Sequence, residues 1–301
     1  RCVAHGLSAS FSVTDIVAEM TGEKHEEKEA SAIRVMEGNT VLEVDHVTTA
    51  ALPHPISIDC AAGEIIGIAG LAGAGRSELL EALFGLTPLT SGEVRRVNGR
   101  DKTPIESASQ AVRHGIGFLG EDRQSMGLFP GLPVLANITL PGISSVASLF
   151  GLIDRKKEEA VGNDLVQRLG IRCASLHQDI DQLSGGNQQK ALIARWIHND
   201  SDIFLLDEPT RGVDVGTKNA IYALLFEMQS AGKTVILASS EIDELMTVCD
   251  RIIVLSDRQL VQVFEGGAWS ETDILTAAFS NFMPGSVSPM GPARSNEQFT
   301  Q

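Results

Sequence analysis

The sequence predicts an α/β fold centred on a mixed, mostly parallel sheet, and three observations lead there. Short apolar runs alternate with helix-periodic segments from Thr40 onward, the order expected of strand–helix–strand units. One run, Glu64–Ala69, enters the glycine-dense loop Gly70–Ser77 and then a helix. Another, Ile203–Leu206, ends directly on two carboxylates, Asp207 and Glu208.

The elements follow in order. Val41–Val44 and Ile56–Ile58 are short strand candidates, and Ala61-Ala62-Gly63 is a turn before the run Glu64–Ala69. Ser77–Phe84 reads as a helix with Leu79, Leu80 and Leu83 on one face. Ile116–Leu119 is a further strand candidate, and residues 155–169 and 191–197 carry helical spacing. Thr234–Ala238 and Arg251–Leu255 read as buried strands separated by a helix over 241–249. Residues 1–40 differ from the rest: a short helical stretch, Thr14–Met20, is followed by Gly22 and the charge run Glu23–Glu29, the composition of a solvated linker. Residues 283–301 are rich in Ser, Pro, Gly and Asn and are expected to be a disordered tail.

Composition narrows the function. A chain of 301 residues holds one large domain or two small ones, and 43% hydrophobic with 21% charged residues fits a soluble core. The net charge of −15 argues against a nucleic-acid surface, which needs a basic stripe. Cys2, Cys60, Cys173 and Cys249 form no C-x-x-C pair and read as free thiols of a reducing compartment. Residues 124–153 lack Asp, Glu, Lys and Arg, but Pro130, Pro133, Pro141 and four glycines interrupt them. That stretch is expected to be a surface or interface segment, not a membrane span.

Three motifs carry chemistry. Leu183-Ser184-Gly185-Gly186-Asn187-Gln188-Gln189-Lys190 places two glycines behind a serine at the start of a helix, where free N–H groups and the dipole favour a phosphate. Gly70-Leu71-Ala72-Gly73-Ala74-Gly75-Arg76-Ser77 follows a strand and opens a helix, the context of a phosphate-binding loop. Its Gly73 and Gly75 let the backbone curl so that N–H groups face phosphates, and Ser77 offers a hydroxyl to Mg²⁺. Arg76 stands where that motif has Lys and is longer, planar and forked. In the third motif Asp207 is placed near the metal, and Glu208 can orient or deprotonate a water. Alone, each has a plainer reading: a capped loop, a glycine-rich turn with a surface arginine, and a solvated acidic turn.

Together the three motifs, in this order and spacing, resemble the ATPase subunits of ABC transporters, whose signature reads LSGG-x-Q. The resemblance covers roughly residues 41–265 and implies a P-loop NTPase (RecA-like) core, a small antiparallel β subdomain and an α-helical signature subdomain over about 124–197. It implies ATP and Mg²⁺ as cofactors. Gly70, Ala72, Gly73, Ala74, Gly75, Arg76, Ser77 and Glu78 would bind nucleotide at one site. Leu183, Ser184, Gly185, Gly186, Asn187 and Gln188 would do so across a dimer, with Asp214 of Gly212-Val213-Asp214 coupling the two sites. Ser77, Asp207 and Glu121 would serve the metal, and Glu208 and Ser240 the reaction.

Several positions depart from the family. Glu121 of Gly120-Glu121-Asp122-Arg123 replaces a metal-touching Gln, Ser240 takes the place of a His, and no aromatic residue lies between Phe11 and Phe84 to stack on adenine. These departures occur together in the second nucleotide-binding domain of tandem ATPases for ribose-, galactose- and xylose-type sugar importers. Val13–Gly22 resembles the end of the preceding domain, so the chain is expected to be the carboxy-terminal half of a longer protein, with residues 41–282 as its domain. Expected partners are a second nucleotide-binding domain, transmembrane permease subunits and, indirectly, a solute-binding protein outside the membrane. The expected location is the cytoplasmic face of the membrane. Two other readings stay open: a non-transport ABC ATPase, and a regulatory domain whose nucleotide stabilises an interface.

Overall fold

The structure is a computed structural model that describes residues 39–147 and 151–281. The expected preceding-domain tail, the charge run and the tail 283–301 lie outside the described residues. Two sheets share one core. Strands β1 (Thr40–Thr48), β2 (Ile56–Ala61), β4 (Ser91–Asn98) and β5 (Asp101–Pro104) pair antiparallel in the order β2-β1-β4-β5. The second sheet contains β3 (Ile65–Gly70), β6 (Ile116–Leu119), β7 (Ile203–Asp207), β8 (Thr234–Ala238), β9 (Arg251–Ser256) and β10 (Gln259–Glu265), in the order β10-β9-β3-β8-β7-β6. All its pairings are parallel except that of β9 with β10.

The central strands are apolar throughout because both of their faces are covered. Every residue of β7 and β8 is buried. Helix α1 (Arg76–Phe84) packs on β6, β7 and β8, while α7 (Ile242–Val248) and α8 (Glu271–Phe279) pack on β3. Helix α6 (Val215–Ser230) lies against β8. Leu79, Leu80 and Leu83, expected on one face of α1, are all fully buried.

A helical arm leaves the sheet after β6, which follows the short α2 (Ala108–Arg113). It contains α3 (Val134–Thr139), α4 (Arg155–Arg168) and α5 (Gly185–His198). The uncharged segment is organised by a buried polar pair. Arg195 donates to the Asn137 carbonyl at 2.7 Å, the Gly127 carbonyl at 2.6 Å and the Asn137 Oδ1 at 3.2 Å. Asn137 in turn donates to the carbonyls of Phe129, Leu132 and Pro133. Burial lowers the Arg195 pKa to about 10, and carbonyl dipoles solvate the guanidinium in place of water. The segment is therefore only partly the surface that its composition suggested. Leu128, Val134, Leu135, Ile138 and Val146 are buried, whereas Phe129, Leu132, Leu152 and Ile153 are exposed. Among the described residues no helix is long and apolar enough to cross a membrane.

Candidate functional site

The glycine-dense loop begins where β3 ends and closes with the Ala74 N–H donating to the Leu71 carbonyl at 3.0 Å. Gly75 has φ of 101°, and a Cβ there would come within 2.6 Å of Leu52 Cδ2, so only glycine fits this corner. Helix α1 starts immediately after it with no side-chain cap, which leaves its first N–H groups unclaimed. Ala72 and Gly73 are exposed along the rim, Gly70 is half-buried at the strand end, and Glu78 lies in the first turn of α1.

Beside this helix start the structure assembles four of the expected side chains. The Ser77 side chain lies beside the Asp207 carboxylate. Burial raises the Asp207 pKa to about 6, reinforced by the charges of Glu208 and Glu81 and opposed by the Ser77 hydrogen bond and Arg76. Burial also raises the Glu208 pKa, against the pull of the Arg76 guanidinium and the Ser240 hydrogen bond. Arg76 Nη2 lies 3.3 Å from Glu208 Oε1, and the Ser240 hydroxyl donates to Glu208 Oε2 at 3.1 Å. Glu208 itself has φ of 49°, a left-handed backbone unusual for a glutamate, and its N–H is pinned to the Ala238 carbonyl at 2.9 Å. The buried Arg76 Nη1 has no acceptor among the described residues.

A layer beneath these residues was missed in the sequence. Glu244 of α7 is 1% exposed and accepts from Thr210 Oγ1 at 2.8 Å and from Ser239 Oγ at 2.5 Å. The Tyr222 hydroxyl lies beside it, and burial and the nearby carboxylate push its pKa up. Thr210 follows Glu208 by two positions and Ser239 precedes Ser240, so one carboxylate ties together the turns that carry both.

Glu121 is placed elsewhere. It is exposed and ion-paired with Arg211, whose carbonyl accepts from Arg123 Nη1 at 3.3 Å. No hydrogen bond or ion pair among the described residues links Glu121 to Ser77 or Asp207. No cluster of three or more His, Cys, Asp or Glu suited to a metal occurs among the described residues. Magnesium at a phosphate site needs only one or two protein oxygens beside waters and phosphates. Ser77 and Asp207 supply that number.

The signature forms a separate helix start. Ser184 is exposed at the N-cap position of α5, and its hydroxyl accepts from the Asn187 side-chain Nδ2 at 2.8 Å and not from a backbone N–H. The N–H groups of Gly185, Gly186 and Asn187 have no partner among the described residues. Leu183 and Gln188 turn inward: Leu183 is buried in the core, and Gln188 Nε2 donates to the Ile180 carbonyl at 3.2 Å. A Cβ on Gly186 would lie 2.6 Å from Thr217 Cγ2. Thr217 is held by Asp214, which caps α6 through Oδ1 at 3.0 Å and accepts the Thr217 hydroxyl at 2.7 Å. Those bonds, the Thr217 hydroxyl first, hold the Asp214 carboxyl below its usual pKa. Asp214 and the signature are thus neighbours. No hydrogen bond or ion pair among the described residues joins the signature to the phosphate loop.

The family model of the ABC transporter matches residues 53–211, from just before β2 through the loop, the signature and the acidic pair. The chain belongs to the ABC transporter family. It is 37% identical over 272 residues to the ribose import ATP-binding protein RbsA of Yersinia pestis bv. Antiqua (strain Antiqua), covering 90% of this chain and 53% of that one. It is 39% identical over 263 residues to the ribose import ATP-binding protein RbsA of Jannaschia sp. (strain CCS1), covering 85% and 49%. The chain therefore spans about half the length of the curated relatives it matches. Among solved structures, the ATP-binding cassette MJ0796, a dimer in a post-hydrolysis state bound to ADP and Pi, superposes with a TM-score of 0.64 at 26% identity. That alignment covers 74% of this chain and 98% of MJ0796.

ATP with Mg²⁺ is the cofactor of an ABC ATPase, and the cleft fits it. The orphaned Arg76 Nη1 and the unclaimed N–H groups of α1 ask for an anion, and the Ser77–Asp207 pair asks for a cation. When bound, the nucleotide supplies the phosphoanhydride and the metal a positive charge at its terminal oxygens. Arg76, the loop amides and Ser77 would hold that group.

Proposed function

We propose that this chain is the ATP-hydrolysing module of a sugar importer, the carboxy-terminal half of a longer protein with two nucleotide-binding domains. Its own site is the degenerate one of the pair. One observation carries the asymmetry: Arg76 is engaged by Glu208, while the amides of Gly185, Gly186 and Asn187 have no partner among the described residues. In this reading Glu208 takes the proton of the attacking water, and Ser240 orients the Glu208 carboxylate through its hydrogen bond. Asp207 and Ser77 hold the metal, and Glu121 reaches it only through water after leaving Arg211. The signature residues Ser184, Gly185 and Gly186 serve the nucleotide of the other domain, and Asp214 transmits between the sites. Exposed Phe129 and Leu132 suit a membrane-embedded partner, and in this reading the chain works at the cytoplasmic face of the membrane. Ribose, galactose or a related solute is the cargo, in line with the ribose import proteins named above.

A regulatory domain that lends its signature without hydrolysing ATP is the second reading, favoured by the same Arg76–Glu208 engagement. Titrating Mg-ATP into the chain and following phosphate release separates the two. Weak binding with slow turnover, both improved by Arg76→Lys, supports the degenerate ATPase. Binding without any turnover in either form supports the regulatory domain. Robust hydrolysis by the unmodified chain overturns the asymmetry.

A further inference from the structure

A nucleotide site needs a platform for the base as well as a cradle for the phosphates, and no aromatic residue supplies one here. Among the described residues no Phe, Tyr or Trp precedes Phe84, and Phe84 is buried against Phe118 with ring centroids 5.1 Å apart. The sheet order indicates where the platform belongs. Asp207, Glu208 and Ser240 follow β7 and β8, on one side of β3, and they define the metal end. Strand β9 flanks β3 on the other side, away from that metal end, and turns there into β10.

That turn is Asp257-Arg258, closed by the pair Ser256–Gln259. Both residues are left-handed, with φ of 46° and 64°, as a two-residue hairpin of this twist requires. Glycine is the favoured second residue of such a turn, because it alone adopts that backbone without steric penalty. An arginine there breaks the local rule, and such breaches concentrate at functional sites. Its position is fixed. The Arg258 N–H donates to the Ala74 carbonyl at 3.1 Å. Its Cα and Cγ lie 3.5 and 3.6 Å from where a Cβ on Gly75 would sit. Behind it, Ser256 Oγ donates to the Ala278 carbonyl at 2.8 Å, which ties the hairpin to α8. The side chain is exposed, and its guanidinium has no hydrogen-bond or ion-pair partner among the described residues.

We propose that Arg258 is the base-binding residue of this site and lays its guanidinium plane against the purine of ATP. A planar, weakly hydrated guanidinium stacks flat on aromatic faces, whereas the lysine ammonium offers them only the attraction of a point charge. The assignment rests on the reading of Gly70–Ser77 as the phosphate cradle.

Calorimetric titration of the chain with Mg-ATP and with magnesium tripolyphosphate tests it, together with the melting temperature. Arg258→Gly installs the residue the turn prefers, so it should melt at or above the wild-type temperature. It should nevertheless bind Mg-ATP about twofold to fivefold more weakly, the size of an exposed cation–π contact. Tripolyphosphate binding should be unchanged, and Arg258→Lys should bind Mg-ATP with an affinity between those of the wild type and the glycine variant. Unchanged Mg-ATP affinity in Arg258→Gly overturns the proposal. So does an equal loss of tripolyphosphate affinity, which assigns the arginine to the phosphates. A wild-type chain that binds neither ligand overturns the phosphate-cradle reading itself, and this assignment falls with it.

Discussion

Arg76 Nη2 sits 3.3 Å from Glu208 Oε1, so the phosphate loop and the residue proposed as base share one ion pair. Burial raises the Glu208 pKa and Arg76 opposes that rise. Removing the cation should let burial prevail. In Arg76→Ala the Glu208 carboxyl is expected to titrate higher than in the wild type. Arg76→Lys, which keeps the charge, should titrate close to the wild type. Carbon-13 NMR of labelled glutamate side chains reads this directly, and an unmoved Glu208 titration in Arg76→Ala would show that the pair does not tune the base.

Asp207 makes the cleft a stability cost at neutral pH. Its folded pKa of about 6 lies above the ordinary aspartate value, so the folded state binds the proton more tightly than the unfolded state does. Stability is therefore highest below the unfolded pKa near 4 and falls as pH rises toward 6, by about 3 kcal/mol from this group. Asp207→Asn should melt higher than the wild type at pH 8 and at nearly the same temperature at pH 4, while losing its response to Mg²⁺. A wild-type melting temperature that rises between pH 4 and pH 6 relative to Asp207→Asn would contradict the sign.

How much of this was legible in the sequence depended on what surrounds each segment. Strands β3, β7 and β8 stood out because a strand covered on both faces carries an unbroken apolar run. Strand β4 did not, because its charges are satisfied across the sheet: Arg95, directly opposite Glu43 on β1, lies 3.2 Å from it. The edge strand β10 reads Gln259-Leu260-Val261-Gln262, too polar for the same signal. Within the site, Ser77, Asp207 and Glu208 were found by motif, whereas Glu244 was not, since one glutamate on a helix usually faces water. Its spacing held the clue: Glu244 adjoins Leu245 and precedes Val248 by four, and all three face inward. The Arg76–Glu208 and Glu121–Arg211 pairs join residues far apart in the chain, and no local pattern encodes them.

Glu244 should matter for turnover more than for binding. Its carboxylate holds Thr210 and Ser239, and neither touches the phosphate loop by a hydrogen bond among the described residues. Thr210→Val keeps the shape but strands one carboxylate oxygen, at a cost of about 1–3 kcal/mol. Thr210→Ser restores the hydroxyl. The expected outcome is a fall in kcat for Thr210→Val with little change in KM for ATP, and recovery in Thr210→Ser. A rise in KM alone would mean that this bond supports nucleotide binding instead of placing Glu208.

The helical arm separates two roles that its lack of charge had merged. Leu135 is 6% exposed and packs inside the arm, so Leu135→Glu buries a carboxylate with no partner and should cost on the order of 4 kcal/mol. Phe129 and Leu132 are 45% and 40% exposed, and a charge there stays in water. Phe129→Glu and Leu132→Glu should therefore melt within a few degrees of the wild type. If these side chains meet the membrane partner, both variants should retain Mg-ATP binding yet lose co-purification with the permease. Melting curves and pull-downs of the full-length protein decide it. Wild-type association by both variants would remove the exposed pair from the interface and leave the packing role of Leu135 intact.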